Sequence, residues 1–217
     1  MKVLIYATTF GADLLSLARF LSEKKGAEIK VLMKDVSKFE NEGIHELWDL
    51  NIELHELNKI NVVKGIKGFN PDVTIMDNNL PLRALSRKAL ILWHGYGWKG
   101  PNDEEEFKWI HRAIRLSWGD MKRFNPNIKW QCFGPVDYNH RTKISGFHED
   151  NCLELGSASH DYLINEVPKS ELQPYYPFDV INKKTVLIAP TWHYGEVFAH
   201  WGDDETIFNK KLGDLEK

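Results

Sequence analysis

The sequence has little of what marks secreted, metal-binding or membrane-spanning proteins. It contains only two cysteines among 217 residues, Cys132 and Cys152, and their spacing matches neither a zinc site nor a redox motif. Long apolar runs are absent, and the mean hydropathy of -0.42 excludes a polytopic membrane protein. Residues 1–10 have no signal-peptide cleavage site and predict a first β-strand. These features indicate a reduced, cytoplasmic chain.

The charge balance is nearly even. The 28 basic and 31 acidic side chains give a formal net charge of -3, and the sequence pI is about 6.3. Because nucleic-acid binding requires a basic surface that neutralises phosphates, the sequence predicts no nucleic-acid partner. The motifs G-x-S-x-G, G-x-x-x-x-G-K-[ST], H-E-x-x-H and C-x-x-C are also missing, which removes support for common hydrolases, NTPases, metalloproteases and thioredoxin-like enzymes.

What the sequence does contain is a regular alternation of apolar strands and amphipathic helices. Residues 14–21 and 60–66 have apolar side chains at helical spacing, Gly26 is predicted to end the first of these helices, and strands are predicted at residues 2–7, 28–33, 52–55, 72–76 and 89–93. Residues 134–150 are predicted to be rich in loops. Such alternation predicts an α/β fold with a Rossmann-like, doubly wound parallel sheet. In these folds, ligands bind beyond the carboxyl ends of the strands.

A change of composition divides the chain into segments. Residues 1–166 are predicted to form the Rossmann-like domain, and the proline-rich, polar residues 167–182 are predicted to be an interdomain linker. Residues 183–217 then repeat the pattern of strand, loop and helix, as at the start of a second doubly wound domain. The strands that would complete a second sheet are missing, so we expect the chain to end within that domain.

The loop at residues 94–100 carries a histidine, three glycines and a lysine directly after a predicted strand. Glycine lets a ligand approach the backbone, imidazole accepts a proton near neutral pH and Lys99 can balance phosphate charge, which suits phosphoryl transfer. The glycines also match a dinucleotide fingerprint, but residues 103–106 place four carboxylates where the pyrophosphate would bind. The alternative is a tight structural turn.

Residues 156–161 place two serine hydroxyls, an imidazole and a carboxylate at a predicted strand-to-helix corner. Backbone amides at such a corner can bind an anion. Ser157 or Ser159 can equally be an ordinary helix N-cap, and we expect Ser157 to cap a helix that extends to residue 164.

Residues 190–193 form a third candidate loop, which follows the apolar residues of the last predicted strand. Taken alone, this loop is equally a structural turn that contains a packed tryptophan. A group of nearby potential metal ligands has a spacing that matches no familiar site: His193, His200, Asp203 and Asp204. We therefore predict no metal and no other cofactor.

Three motifs, taken in order, resemble signatures of the CDP-glycerol glycerophosphotransferase family. The loop His94-Gly-Tyr-Gly-Trp-Lys99 is similar to the family's H-G-T-P-x-K loop. The segment Gly156-Ser-Ala-Ser-His-Asp161 is similar to its G-x-P-R-N-D corner, and Ile188-Ala-Pro-Thr-Trp-His193 is similar to its Y-A-P-T-W/F-R strand end. The resemblance covers residues 85–195, and the N-terminal strands and helices agree with the family in architecture.

The resemblance implies a two-domain GT-B fold. It also implies transfer of glycerol phosphate, or a related polyol phosphate, from a CDP-linked donor to a hydroxyl of a lipid-linked glycan or polymer. His94 would be the general base that deprotonates this hydroxyl, while Gly95 and Lys99 would shape and charge-balance the cleft. The remaining substrate contacts would be Ser157, Asp161, Thr191 and His193. A lipid-linked acceptor further implies peripheral contact with the inner face of the cell membrane.

The chain departs from the family pattern in each motif. Tyr96-Gly97 stands where the family has Thr-Pro, Ala158–His160 stands where it has Pro-Arg-Asn, and His193 stands where it has arginine. Two cationic phosphate ligands are thus absent or replaced by histidine, which leaves the donor open. The alternatives are another GT-B nucleotide-sugar transferase or epimerase-like enzyme, and a non-catalytic module that binds a polyol phosphate or glycan.

Overall fold

Seven short strands form one parallel sheet in the computed structural model, which describes residues 1–8, 10–41, 52–77, 80–81, 83–92, 107–164 and 168–185. The strands are β1 (Lys2–Tyr6), β2 (Glu28–Met33), β3 (Glu53–Glu56), β4 (Val73–Met76), β5 (Lys88–Ile91), β6 (Ile128–Cys132) and β7 (Cys152–Glu154). Their order in the sheet is β3-β2-β1-β4-β5-β6-β7, and every neighbouring pair is parallel. The predicted Rossmann-like α/β class is confirmed.

The direction of winding reverses between β1 and β4. The chain proceeds from β1 through β2 to β3 on one side, and then returns to β4 on the other side of β1. Loops that leave the carboxyl ends of β1 and β4 therefore diverge to opposite sides, which opens a crevice at this point of an α/β sheet. The crevice is the expected place for a ligand.

Short helices connect these strands. The α-helices are α1 (Ala12–Lys25), α2 (Val36–Asn41), α3 (Lys59–Lys64), α4 (Lys108–Ser117), α5 (Pro135–Asn139), α6 (Asp161–Ile164) and α7 (Lys169–Leu172). Wider π-helical turns follow α3 at Gly65–Phe69 and α5 at His140–Ile144, and 3₁₀ turns occupy Glu149–Asn151, Ala158–His160 and Gln173–Tyr175. No helix within these described segments is long and apolar enough to cross a membrane.

Helix α1 ends where the sequence predicts. Gly26 has a φ of 57°, in the left-handed region that glycine adopts at little cost. This turn lets the Gly26 amide donate to the Ser22 carbonyl (3.2 Å) and the Ala27 amide donate to the Leu21 carbonyl (3.0 Å). The last carbonyls of the helix are thereby satisfied, and the chain enters β2 two residues later.

The sheet is covered on both faces. Val3 and Ile5 of β1 pack in a cluster with the apolar side of α1, whereas Leu4, between them in sequence, packs with Leu32 and Phe69. Alternate strand residues point to opposite faces of a sheet, so both faces of β1 lie in apolar cores. Continuous apolar strands are typical of such doubly covered parallel sheets.

Two regions between predicted elements differ from the sequence analysis. Residues 134–150 were expected to be rich in loops, but Pro135 opens α5 and a π-helical turn continues it, because proline fits the first turn of a helix without losing a hydrogen bond. Ser157 stands at the N-cap position of the Ala158–His160 turn, yet its side chain makes no cap hydrogen bond. The N-cap prediction is wrong because its hydroxyl bonds to α1 instead.

The chain divides into two units, Met1–Glu166 and Val167–Lys217. In the second unit, the described residues 168–185 form α7 and one 3₁₀ turn. The Gln173 side chain stabilises this segment, since it accepts from the Val180 amide (2.9 Å) and donates to the Phe178 carbonyl (3.0 Å). The linker at residues 167–182 and the second domain at residues 183–217 stay predictions, and residues 186–217 lie outside the described residues.

Candidate functional site

Only part of the predicted site falls within the described residues. Ser157 and Asp161 are described, and both lie in the segment that follows the carboxyl end of β7. The other predicted site residues lie outside the described residues and stay predictions: His94, Gly95, Lys99, Thr191 and His193. Strand β5 ends at Ile91, three residues before His94, and lies between β4 and β6 in the sheet.

A buried carboxylate connects the two strands at the winding reversal. The Asp77 side chain follows β4 and is buried, and its Oδ2 accepts a hydrogen bond of 2.9 Å from the Thr8 amide, which follows β1. This contact fixes the start of the β1–α1 loop against the end of β4. The crevice therefore has a defined polar floor.

A second buried carboxylate joins α1 to the segment after β7, which we call the corner (residues 156–161). Asp13 lies in the first turn of α1 and is buried. Its Oδ1 accepts from the Ser157 hydroxyl (2.5 Å) and the Ser159 amide (3.0 Å). Gly156 has a φ of 69°, so glycine makes the left-handed turn from β7 into the corner.

Gln131 of β6 completes this network from below. Its Nε2 donates to Asp13 Oδ2 (2.9 Å) and to the Gly156 carbonyl (2.5 Å), which fixes the orientation of the amide. Its Oε1 is buried and makes no hydrogen bond. An unsatisfied buried acceptor costs about 1–3 kcal/mol, a cost that the two bonds of the Nε2 group offset.

Asp13 remains ionised in this environment. Burial alone would raise the pKa of Asp13, but hydrogen bonds from Ser157, Ser159 and Gln131 outweigh it, and the pKa lies below its ordinary value. Hydrogen bonds that a carboxylate accepts favour its charged form. A negative charge is thus held directly beneath the corner.

Arg141 is the buried cation nearest in sequence to the end of β6, and its side chain makes its contacts within the core. Its side chain has no exposed surface and pairs with Asp137 (3.0 Å). Its guanidinium also lies over the Trp130 ring, 5.4 Å from the centroid. Burial lowers the pKa of Arg141, an effect that Asp137 partly offsets. Because it is enclosed and paired, Arg141 has no donor directed at a ligand beyond the sheet.

The two cysteines lie on neighbouring strands and are both buried and free. The hydrogen bond between the two thiols raises the pKa of Cys132, as does burial, whereas the same bond lowers the pKa of Cys152. A thiol with a raised pKa is a poor nucleophile and metal ligand. This environment agrees with a structural role in the core beneath α4, to which both side chains belong.

A concavity of about 220 Å³ lies elsewhere, between β2, β3 and α3. Its carboxylate, Glu53, already pairs with Lys30 (2.7 Å) and His55 (2.6 Å). These contacts pair three of its four described charged or titratable side chains with one another, the fourth being Lys64. We therefore place the candidate site at the carboxyl edge of the sheet and not in this concavity.

Asp13 and Gln131 are site residues that sequence reasoning missed. A polar residue in the first turn of a helix is a common feature of exposed helix starts, so Asp13 carried no specific signal. Gln131 was visible as the one amide within the apolar run at residues 130–133. Buried polar side chains require partners, which is the signal that could have drawn attention to it.

Comparisons with known proteins extend the description of the fold. No protein-family model matches the sequence, and no curated protein matches it by sequence. Among solved structures, a histidine-to-alanine variant of the wall teichoic acid polymerase TagF matches with a TM-score of 0.51. The fold is similar to that of a teichoic acid polymerase.

This likeness concerns architecture alone. The aligned residues are 9% identical and cover 80% of this chain and 43% of the TagF chain. The chain thus spans less than half the length of the polymerase it matches. At this identity, the likeness supports the Rossmann-like fold of this chain, while residue roles require separate arguments.

Proposed function

We propose that the chain belongs to a transferase that moves glycerol phosphate, or a related polyol phosphate, from a CDP-linked donor to a hydroxyl of a lipid-linked glycan or polymer. The observation that carries the proposal is the polar network of Asp13, Gln131 and Ser157 at the carboxyl edge of the sheet. Polar groups at this edge are where α/β folds bind ligands. The structural likeness to a wall teichoic acid polymerase adds support.

The proposed reaction is one displacement at phosphorus. His94 takes the proton of the acceptor hydroxyl, the hydroxyl oxygen forms a bond to the donor's β-phosphorus, and the bond to the bridging oxygen breaks to release CMP. A positioned base accelerates such a step by about 10²- to 10⁴-fold. In this proposal, Gly95 and Lys99 balance the phosphate charge, and the other substrate contacts are Ser157, Asp161, Thr191 and His193.

The proposal also includes peripheral contact with the inner face of the cell membrane. Helix α4 supports it, because its exposed residues combine Trp109 and Leu116 with Lys108, Arg112 and Arg115. The helix contains no acidic residue. Tryptophan and leucine beside cations are typical of helices that lie on anionic bilayers.

The proposed role of His94 is tested by substitution in the protein. His94→Ala is expected to reduce CMP release from CDP-glycerol by about 10²- to 10⁴-fold, since the base is lost. His55→Ala is the matched control, because His55 lies on β3 and contacts Glu53. Activity that survives in His94→Ala would refute the assignment of the base, and no activity in the unsubstituted protein would favour a binding module.

A further inference from the structure

The concavity between β2, β3 and α3 lies on the face of the sheet opposite α1. Leu4 and Leu32 close its floor and pack with Phe69, whereas Ile5, the next residue of β1, packs with α1. Successive residues of a strand point to opposite faces of a sheet. The sheet therefore separates the concavity from α1 and from the buried carboxylate of Asp13.

Two ammonium groups line the concavity, and one carboxylate balances them. Lys30 and Lys64 line it together with Glu53, and an ion pair of 2.7 Å joins Lys30 to Glu53. Lys64 is exposed and forms no ion pair with the residues that the structure describes. Even with a neutral His55, the described lining thus has a net positive charge.

The Lys30 ammonium is held in place and still has hydrogens to donate. Its side chain is only 23% exposed, and its Nζ lies 5.2 Å from the centroid of the Phe69 ring. Glu53 faces it across the two strands. Because an ammonium group has three hydrogens and Glu53 Oε2 accepts one, Lys30 can also donate to a ligand. A cation that is already ordered loses little conformational freedom when the ligand binds.

The size and the floor of the concavity indicate the kind of anion that would fill it. A volume of about 220 Å³ is room for about seven water molecules, which is more than a simple inorganic ion occupies. The leucine side chains of the floor offer no hydrogen-bonding group. The part of a ligand that lies over Leu4 and Leu32 can therefore be apolar without losing hydrogen bonds.

We infer that the concavity is a second binding site, which takes a small organic monoanion. The carboxylate of this ligand pairs with Lys30 and Lys64, and its apolar part lies over Leu4 and Leu32. Glu53 limits the affinity, since its carboxylate repels the ligand and competes with it for Lys30. The inference goes beyond the proposed transfer of polyol phosphate and does not depend on it.

The test uses the ¹⁵N-labelled protein and follows the backbone amide signals of residues 30, 32, 61 and 64 by NMR. Benzoate, benzyl alcohol and inorganic phosphate are titrated separately at constant ionic strength. We expect saturable shifts with benzoate and binding at least about tenfold weaker with each of the other two, because benzyl alcohol lacks the charge and phosphate lacks the apolar part. No shifts with benzoate, or equal affinity for either of the other compounds, would overturn the inference.

The role of Lys64 is tested by Lys64→Gln. Removing a charge-assisted hydrogen bond is expected to weaken benzoate binding about tenfold. Lys67→Gln is the matched control, because Lys67 is an exposed lysine of the π-helical turn that follows α3 and does not line the concavity. Equal benzoate affinity in Lys64→Gln and Lys67→Gln would contradict the role of Lys64.

Glu53→Gln tests the site with a result that structural damage would not produce. This variant keeps the shape of the side chain but removes the negative charge, so benzoate is expected to bind about fivefold more tightly. A folded Glu53→Gln variant with unchanged or weaker benzoate affinity would refute the role of Glu53. If this variant does not fold, the exposed Lys64→Gln substitution decides the inference. None of these results depends on CMP release, so a wrong proposed function would be recognised separately.

Discussion

At the scale of single residues, Asp13 is the group on which the candidate site depends. It is buried in the first turn of α1, and its carboxylate accepts hydrogen bonds from β6 and from the corner. A charge in such a place is stable only when its oxygens are fully hydrogen-bonded. Losing the charge should therefore loosen the contact between α1 and the corner.

This dependence gives a pH prediction. The pKa of Asp13 is lowered below its ordinary value of 3.8 by folding, so its ionised form stabilises the protein above that pH. The contribution is lost as the pH falls through 3.8 towards the lower pKa of the folded state. We expect Asp13→Asn to reduce the free energy of unfolding by about 1–3 kcal/mol at neutral pH.

Thermal unfolding of both proteins across the acid range checks this prediction. The difference in stability between them should shrink as the solution is acidified, because the wild-type carboxyl then becomes protonated. Other carboxyls with lowered pKa values, such as Asp35 and Asp179, are common to both proteins and cancel. A difference that stays constant with pH would mean that the charge of Asp13 contributes nothing.

The same residue shows what the sequence could not predict. The partners of Asp13 lie 118, 144 and 146 residues away along the chain, and no local pattern specifies contacts at such distances. The sequence did indicate the corner, because serine, histidine and aspartate after a strand are unusual enough to draw attention. The sequence also led to the wrong prediction that the Ser157 side chain caps a helix, since a local hydrogen bond is the default expectation for serine before a helix.

At the scale of elements, α4 has two contrasting sides. Ile110 and Ile114 are fully buried in the core with Trp130, whereas Trp109 and Leu116 are 53% and 66% exposed. The buried isoleucines fix which side faces outward, because residues four apart share one side of a helix. The exposed side consequently presents a tryptophan, a leucine and several cations to the solvent.

We predict that this side of α4 binds anionic membranes. Vesicles of phosphatidylcholine with roughly one-third phosphatidylglycerol should bind the protein, since each cation near such a surface contributes about 1 kcal/mol. Replacing both Arg112 and Arg115 with glutamine should weaken binding by about 30-fold. Co-sedimentation measures the bound fraction.

The matched control for the vesicle experiment is Arg87→Gln. Arg87 is exposed as well, but it directly precedes β5, so the variant removes a charge without changing α4. High salt should weaken binding of the wild-type protein, because it screens exposed charges. Equal binding of Arg87→Gln and the double variant would contradict a specific role of α4.

Elements differed in how well the sequence predicted them. Helix α1 and strand β2 were predicted closely, because an amphipathic pattern, a glycine stop and an apolar run agree there. Helix α5 was missed, since its five residues, Pro135–Asn139, are too few to show a helical period. Asp137 connects this short helix to the core, since its carboxylate pairs with the buried Arg141 and accepts a hydrogen bond from the Phe133 amide.

At the scale of the whole molecule, the order of the strands is what creates the candidate site. Alternating strands and helices predicted a parallel sheet, yet periodicity does not show which strands are neighbours. The order places β5 between β4 and β6, so the strand that precedes His94 lies between Asp77 and Gln131. The loop at residues 94–100 and the corner, which are far apart in sequence, therefore both follow strands whose carboxyl ends lie at the same edge of the sheet.

The choice of nucleotide donor tests the central proposal most directly. The protein is incubated with a lipid-linked polyol-phosphate acceptor and either CDP-glycerol or UDP-N-acetylglucosamine, and the nucleotide released is measured by chromatography. The proposal predicts acceptor-dependent release of CMP and no release of UDP. Release of UDP would contradict it in favour of a nucleotide-sugar enzyme, and release of neither nucleotide would contradict it in favour of a binding module.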